Sequence, residues 1–249
     1  MEIAEHVSLK EYTTFRVGGP ARFFCRIGIP EELPEALKYA GEKKIPFFVL
    51  GGGSNIVIDD RGFPGLVCKM EIRGTEFTDQ GEQVEVVAGA GEVWDALVAE
   101  AVARGLYGLE NLSSIPGTVG AAPVQNIGAY GAEIADVVEW VEVFDLKKRE
   151  LKKFSRRECK FDYRTSIFKH HRGRYVITHA SFLLSKKGRP NISYPDLKAY
   201  CEKKGIKELS LQEIRDAVTV VRKAKFPEFK DHGTAGSFFK NPVIAKKVF

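Results

Sequence analysis

The cluster in this chain best equipped for chemistry is Ala235-Gly236-Ser237-Phe238-Phe239-Lys240-Asn241-Pro242. It sets a serine hydroxyl between small residues and aromatics, with an ammonium and an amide just behind. Small residues let a ligand approach the backbone, aromatic rings exclude water, and the three polar groups supply directed contacts. Upstream, Tyr163-Arg164-Thr165-Ser166-Ile167-Phe168-Lys169 places an arginine among aromatics and hydroxyls. A guanidinium there could fork onto a carboxylate or a phosphate, although the end of a surface strand would use the same residues. Arg222 and Lys225 stand three apart on one helix face just ahead of the serine. By themselves they read as solvated basic residues.

Two glycine-rich stretches offer surfaces rather than reactants. Leu50-Gly51-Gly52-Gly53-Ser54-Asn55 follows an apolar run directly. Consecutive glycines expose backbone N–H groups in the concave arrangement that binds phosphate oxygens, and Ser54 and Asn55 add side-chain donors. A tight hairpin turn is the alternative, since neither a P-loop lysine nor a helix opening follows. Residues 113–131 are more specific. Ser114, Pro116, Gly117, Thr118, Gly120, Ala121, Asn126, Gly128, Ala129, Tyr130 and Gly131 crowd small, hydroxyl and amide groups into one neutral segment. Each glycine costs folding entropy, so this density suits a wall against a flat, polar-edged cofactor and its pyrophosphate. A loop with no ligand is the alternative.

The elements that must hold these segments are mixed. Residues 21–27 and 46–50 are β-prone, and Pro30-Glu31-Glu32 opens a helix to Lys43 with proline and acidic residues in its first turn. Residues 56–58 read as a further strand and 59–62 as a turn. A strand over 83–88, a turn over 89–91 and an amphipathic helix over 93–104, closed by Gly105, come next. Residues 137–145, 150–154 and 175–184 read as antiparallel strands. A helix over 211–225 has Ser210 as its N-cap and Pro227 as its stop. The pattern is that of an α+β protein, with one lobe over 1–70, a second over 71–226 and the start of a third over 227–249.

Composition narrows the function classes. A chain of 249 residues, 44% hydrophobic and 29% charged, is an ordinary globular one with room for one or two cored domains. Its net charge of +5 is compatible with phosphorylated ligands, but no basic stripe for nucleic acid exists. Lys147-Lys148-Arg149 and Lys152-Lys153 are interrupted by Glu150 and Leu151, as in a solvated hairpin tip. Met1-Glu2-Ile3-Ala4-Glu5-His6 lacks the basic and apolar regions of a signal peptide, and no apolar run is long enough for a bilayer. A cytoplasmic location is expected. Cys25, Cys68, Cys159 and Cys201 are isolated along the sequence, as buried reduced thiols would be. No metal site is expected, and His170-His171 reads as a polar turn.

Tyr12-Thr13-Thr14-Phe15-Arg16-Val17-Gly18-Gly19-Pro20, the glycine loop, residues 114–131, residues 163–169 and the serine segment occur in one order across nearly the whole chain. In that combination the chain resembles the UDP-N-acetylenolpyruvoylglucosamine reductase (UDP-N-acetylmuramate dehydrogenase) family of bacterial peptidoglycan precursor synthesis. The resemblance implies a vanillyl-alcohol-oxidase type FAD-binding fold in two lobes, with a third lobe for substrate and NADPH as reductant. It implies FAD contacts from Gly51 to Asn55, from the small and polar residues of 114–131, and from Arg222. Tyr194, in Ser193-Tyr194-Pro195-Asp196-Leu197, is similar to the substrate-closing tyrosine of the longer subclass. Tyr163, Lys225 and Asn241 match substrate-binding positions, and Arg164 and Ser237 match catalytic ones. Hydride from reduced FAD would reach C3 of the enolpyruvyl group, Arg164 would stabilise the enolate, and Ser237 would give a proton to C2. The implied partners are a nucleotide-sugar and NADPH, with no nucleic acid or membrane, and the chain is expected to act as a monomer.

The family pattern continues past the serine loop into a segment that supplies a catalytic glutamate. Glu213 and Glu228 precede that loop and do not match its position. A fragment of a longer protein is expected, because a lobe ending so soon after Pro242 would leave apolar surface uncovered. Two other functions stay open: another flavin oxidase of the same fold, or a non-catalytic FAD-binding remnant. The oxidase is disfavoured by the substrate set Tyr194, Lys225 and Asn241 and by the lack of a His or Cys suited to covalent flavin attachment.

Overall fold

Two sheets with one core between them carry the glycine-rich segments. The computed structural model describes residues 1–189, 191–205, 209–225, 232–234, 236 and 239–244. The first sheet holds β1 (Ile3–Ser8), β2 (Pro20–Ile27), β3 (Phe47–Leu50) and β4 (Phe63–Met70) in the order β1-β2-β4-β3. β1 is antiparallel to β2, whereas β2 and β3 both run parallel to β4. The central strand β4 is buried from Gly65 through Cys68, as a strand covered on both faces must be. Helix α1 (Glu32–Glu42) makes the crossover from β2 to β3 and buries Leu33, Ala36 and Ala40. It begins at Glu32 rather than Pro30, where the Glu32 carboxylate accepts hydrogen bonds from the N–H groups of Gly28 and Ile29.

The strand expected over 56–58 is a correction. That stretch is irregular and makes no ladder. Ile56 and Ile58 pack instead on a small cluster of Leu9, Ala21, Phe24, Leu50 and Val67, while Val57 is exposed. Apolar alternation here comes from a loop laid across the outer face of the sheet, whose Asp59 carbonyl accepts from the N–H groups of Gly19 and Gly62.

The second sheet draws on β5 (Thr75–Gln80), β6 (Gln83–Gly89) and, beyond a short pair β7 (Gly128–Ala129) and β8 (Ala132–Glu133), β9 (Val138–Asp145), β10 (Glu150–Ser155) and β11 (Tyr175–Ser185). It is antiparallel throughout, in the order β10-β9-β11-β6-β5. Helix α2 (Trp94–Ala103) covers it by burying Trp94, Leu97, Val98, Ala101 and Val102, one face at helical spacing. The Trp94 ring meets Phe182 edge-on at 5.8 Å, and its indole N–H donates to the Leu112 carbonyl at 2.9 Å. A single apolar cluster runs from Phe23, Leu33 and Leu66 of the first sheet through Met70 and Ile72 to Val86, Trp94 and Phe182 of the second. After a one-turn helix α3 (Ile167–His170), helices α4 (Pro195–Lys204) and α5 (Leu211–Lys225) pair around Leu197, Cys201, Ile214 and Val218, with Tyr130 in their midst. At α5, Ser210 and Glu213 exchange backbone and side-chain hydrogen bonds, the reciprocal cap the sequence favours.

Cys25 and Cys68 are register partners on β2 and β4, with sulfurs 3.2 Å apart. They are distant in sequence but neighbours in the core. The hydrogen bond with Cys25 and burial push the Cys68 thiol up.

Candidate active site

The glycine loop leaves the C-terminal end of β3 and meets the 113–131 segment face to face. Gly53 has φ +64, and a Cβ there would lie 1.9 Å from the Tyr12 carbonyl, so only glycine fits. Among the described residues, the N–H groups of Gly52, Gly53 and Ser54 donate to no protein acceptor. Ser54 Oγ donates to the Pro116 carbonyl at 3.0 Å, and Asn55 Nδ2 to Gln125 Oε1 at 3.1 Å. Opposite Gly51, the Thr118 hydroxyl is buried with no hydrogen-bond partner, as is Asn111 Oδ1. Unpaired N–H donors on the glycine loop and an orphaned hydroxyl on the segment packed against it are groups that a phosphate-bearing ligand would complete.

The wall is held rigidly from behind. Trp94 N–H donates to the Gly117 carbonyl, and Val119 and Gly120 N–H donate to the carbonyls of Glu92 and Ala90. Residues 117–120 thus hang on the connection between β6 and α2. Further along, Asn126 and Tyr130 have φ of +47 and +50, and the Asn126 amide bonds Glu133 Oε2, the Asp162 carbonyl and the Ala135 N–H.

Arg164 stands at the tip of a tight turn closed by reciprocal Asp162–Thr165 backbone bonds, with φ +55. Its guanidinium donates to the Gly128 carbonyl at 2.6 Å and the Asn126 carbonyl at 3.4 Å. A Cβ on Gly128 would come within 3.2 Å of that guanidinium. The turn is anchored by Ser166, whose hydroxyl donates to the Val124 carbonyl and caps α3 at Phe168. The Tyr163 ring has the Arg164 guanidinium 6.0 Å and the Lys240 ammonium 4.8 Å from its centroid.

A second group of predicted residues gathers at α4 and α5. Tyr194 lies edge-on to Tyr130 at 5.2 Å, and Lys225 pairs with Asp196. Burial raises the Tyr130 phenol's pKa against the pull of Arg222 and Lys225, and burial lowers that of Arg222. The Tyr130 ring packs in the apolar cluster of α4 and α5. Ser114, with φ +59, points its hydroxyl to Thr219 at 2.9 Å, while its N–H donates to Asp95 at 2.5 Å. Asp95 also takes a two-pronged bond from Arg215 at 2.7 and 2.8 Å, which fixes α5 on α2. Burial pushes the Asp95 carboxyl up, but Arg215 and the Ser114 N–H outweigh it and leave its pKa low.

Ser237 lies outside the described residues, as do Ala235 and Phe238. The approach to it is described: Thr234 N–H donates to the Thr14 carbonyl at 2.9 Å and Thr14 Oγ1 to the Thr234 carbonyl at 3.1 Å, while Thr14 N–H donates to Gly53. Thr234 is thereby tied, through Thr14, to the glycine loop. Asn241 is exposed, and among the described residues no hydrogen bond joins it to Lys225. Sequence reasoning missed Lys69 and Asp95, and quoted Thr14 within its motif without giving it a role. Lys69 donates to the Gly51 carbonyl at 2.9 Å and, with Tyr12, Thr14 and Arg16, lines a cavity of about 330 Å³ under the glycine loop. Only the Tyr12–Pro20 motif hinted at that cavity. Among the described residues no cluster could hold a metal ion, and no helix is long and apolar enough to cross a membrane.

Fold and site define a flavoprotein, and residues 21–154 match the FAD binding domain family. A cholesterol oxidase from Brevibacterium sterolicum shares the fold, with a TM-score of 0.55 at 13% identity over 74% of this chain and 38% of that one. The solved UDP-N-acetylenolpyruvylglucosamine reductase from Thermus caldophilus is nearer. It has a TM-score of 0.68 and 31% identity, covering 97% of this chain and 74% of that one. The UDP-N-acetylenolpyruvoylglucosamine reductase of Pseudomonas putida is 43% identical over 241 residues, 96% of this chain and 71% of its own length. The chain belongs to the UDP-N-acetylenolpyruvoylglucosamine reductase family, with the vanillyl-alcohol-oxidase type FAD-binding fold.

Proposed function

We propose that the chain is an FAD- and NADPH-dependent reductase of UDP-N-acetylglucosamine enolpyruvate, serving peptidoglycan precursor synthesis. The observation that carries this reading is the Arg164 guanidinium, held by the carbonyls of Asn126 and Gly128 at the edge of the glycine-rich wall. FAD is proposed to bind along Gly52–Ser54 and Thr118, which offer unpaired N–H groups and an orphaned hydroxyl. When bound, it supplies the hydride, replenished by NADPH, that reduces the enolpyruvyl double bond.

The protein's part is orientation and charge. Arg164 stays cationic and planar, so it can grip the enolpyruvyl carboxylate and stabilise the enolate as charge develops. Ser237 is proposed to give the proton to C2, a role that depends on placement because a free hydroxyl is a weak acid. Tyr163, Tyr194, Lys225 and Asn241 are assigned to the nucleotide-sugar. Lys225 would exchange the Asp196 carboxylate for a diphosphate. We assign residues 1–70 and 71–226 to the two FAD-binding lobes and 227–249 to the start of the substrate lobe, in a cytoplasmic monomer.

Stopped-flow mixing of the reduced protein with enolpyruvyl nucleotide, against oxygen alone, tests the reading. Rapid reoxidation by the nucleotide is expected. Reoxidation by oxygen only would make the chain an oxidase. Ser237→Ala is expected to accept electrons from NADPH yet stall with the nucleotide, and equal rates in both proteins would remove Ser237 from the mechanism.

A further inference from the structure

We infer that Lys169 is a positioning residue for Arg164: its ammonium clamps the carbonyl of a left-handed residue and so fixes where the guanidinium points. The inference rests on the reductase reading for the reaction it serves. The bond from Lys169 Nζ to the Arg164 carbonyl measures 3.0 Å and spans five residues, from α3 back to the turn. Arg164 holds φ +55, a conformation disfavoured for any residue with a Cβ, so the turn needs restraint at both ends. The guanidinium end is restrained by Gly128 and Asn126, and the carbonyl end by Lys169.

The charge arrangement argues against a merely structural lysine. Among the described residues, Arg164, Lys169 and Lys240 enter no ion pair with a carboxylate. Burial first, and then the nearby cations Lys240, Arg172 and Arg164, make the Lys169 ammonium easier to deprotonate. A fold wanting only a brace for a carbonyl could use a neutral amide. A half-buried cation among cations suits a site completed by an anion from outside, here the enolpyruvyl carboxylate.

The test is a double-substitution cycle on the FAD-loaded chain, read as single-turnover reduction of the enolpyruvyl nucleotide. Lys169→Met is expected to lower the rate constant about 100-fold, with KM changed far less, as for a displaced catalytic group. In an Arg164→Met background the same substitution is expected to cost almost nothing more, because the residue it positions is gone. Equal fold losses in the two backgrounds would overturn the inference, as would a Lys169→Arg protein no faster than Lys169→Met. A second readout needs no turnover. In ¹⁵N-arginine-labelled protein, Arg164 Nη signals, identified by their loss in Arg164→Lys, are expected to exchange slowly and to average in Lys169→Met. Their persistence in Lys169→Met sinks the inference. If the unsubstituted chain shows those signals and averages them on substitution, yet does not reduce the nucleotide, the reductase reading falls and the positioning role stands.

Discussion

Arg164 and Thr118 are two side chains whose chemistry the surrounding structure leaves open at one end. Arg164 spends two donors on loop carbonyls and keeps the rest of its fork for a ligand. Arg164→Lys keeps the charge but loses the planar fork, so the nucleotide-dependent rate is expected to fall about 10²- to 10³-fold in single-turnover kinetics. Thr118 shows the opposite economy, a buried hydroxyl with no partner. Thr118→Val removes an unpaired polar atom at constant shape. The FAD-free protein should then gain about 1 kcal/mol in denaturant unfolding, while calorimetric FAD affinity drops about fivefold. A loss of stability without loss of affinity would mean that the hydroxyl serves the fold.

At the scale of elements, α5 is joined to α2 by one partly buried ion pair as well as by its apolar face. Its Arg215 grips Asp95 of α2, and Asp95 also holds the Ser114 N–H of the wall. Asp95→Asn is expected to cost about 1.5–3 kcal/mol at neutral pH, read from urea midpoints. The pH dependence has a definite sign. The folded carboxyl sits below its unfolded value, so its stabilisation is complete above about pH 4 and drains away as pH falls through the folded pKa. The wild-type advantage over Asp95→Asn should therefore shrink in acid, and a constant gap would exclude this pair as its source.

How much of these elements could be read beforehand depended on burial. The strand at Phe23-Phe24-Cys25 announces itself by an apolar run buried on both faces, and the helix at Trp94 by one apolar face at helical period. β1 and β5 do not, being half-exposed edge strands with mixed residues. In α4 only Leu197 and Cys201 are buried, too few to set a helical period. Residues 56–58 misled because a loop can be apolar for the same reason as a strand. The candidate residues were visible by type, but the meeting of Ser54 with Pro116, or of Lys69 with Gly51, is a long-range fact that spacing does not contain.

For the whole molecule, the continuous core from Leu33 to Phe182 makes the two sheets one cooperative body. The amides of β4 and β6 should therefore exchange with a common slowest rate in hydrogen-exchange measurements. FAD held by the glycine loop after β3 and by the wall that hangs on the β6–α2 connection would stabilise both. At about 100 times its Kd it should add about 2.7 kcal/mol, or about 5–10 °C in Tm. A shift in exchange confined to one sheet would contradict a shared site.

The mutual bonds between Thr14 and Thr234, 220 residues apart, bear on when the protein can become competent as it is made. A chain leaving the ribosome can close both sheets, and fill the core between them, well before Thr234 emerges. Thr14 then waits beside a finished glycine loop for its late partner. Nascent chains released before residue 234 should therefore be able to take up FAD yet lack the contact by which Thr234 joins Thr14. Cofactor capture and catalytic assembly would be successive events in the life of each molecule.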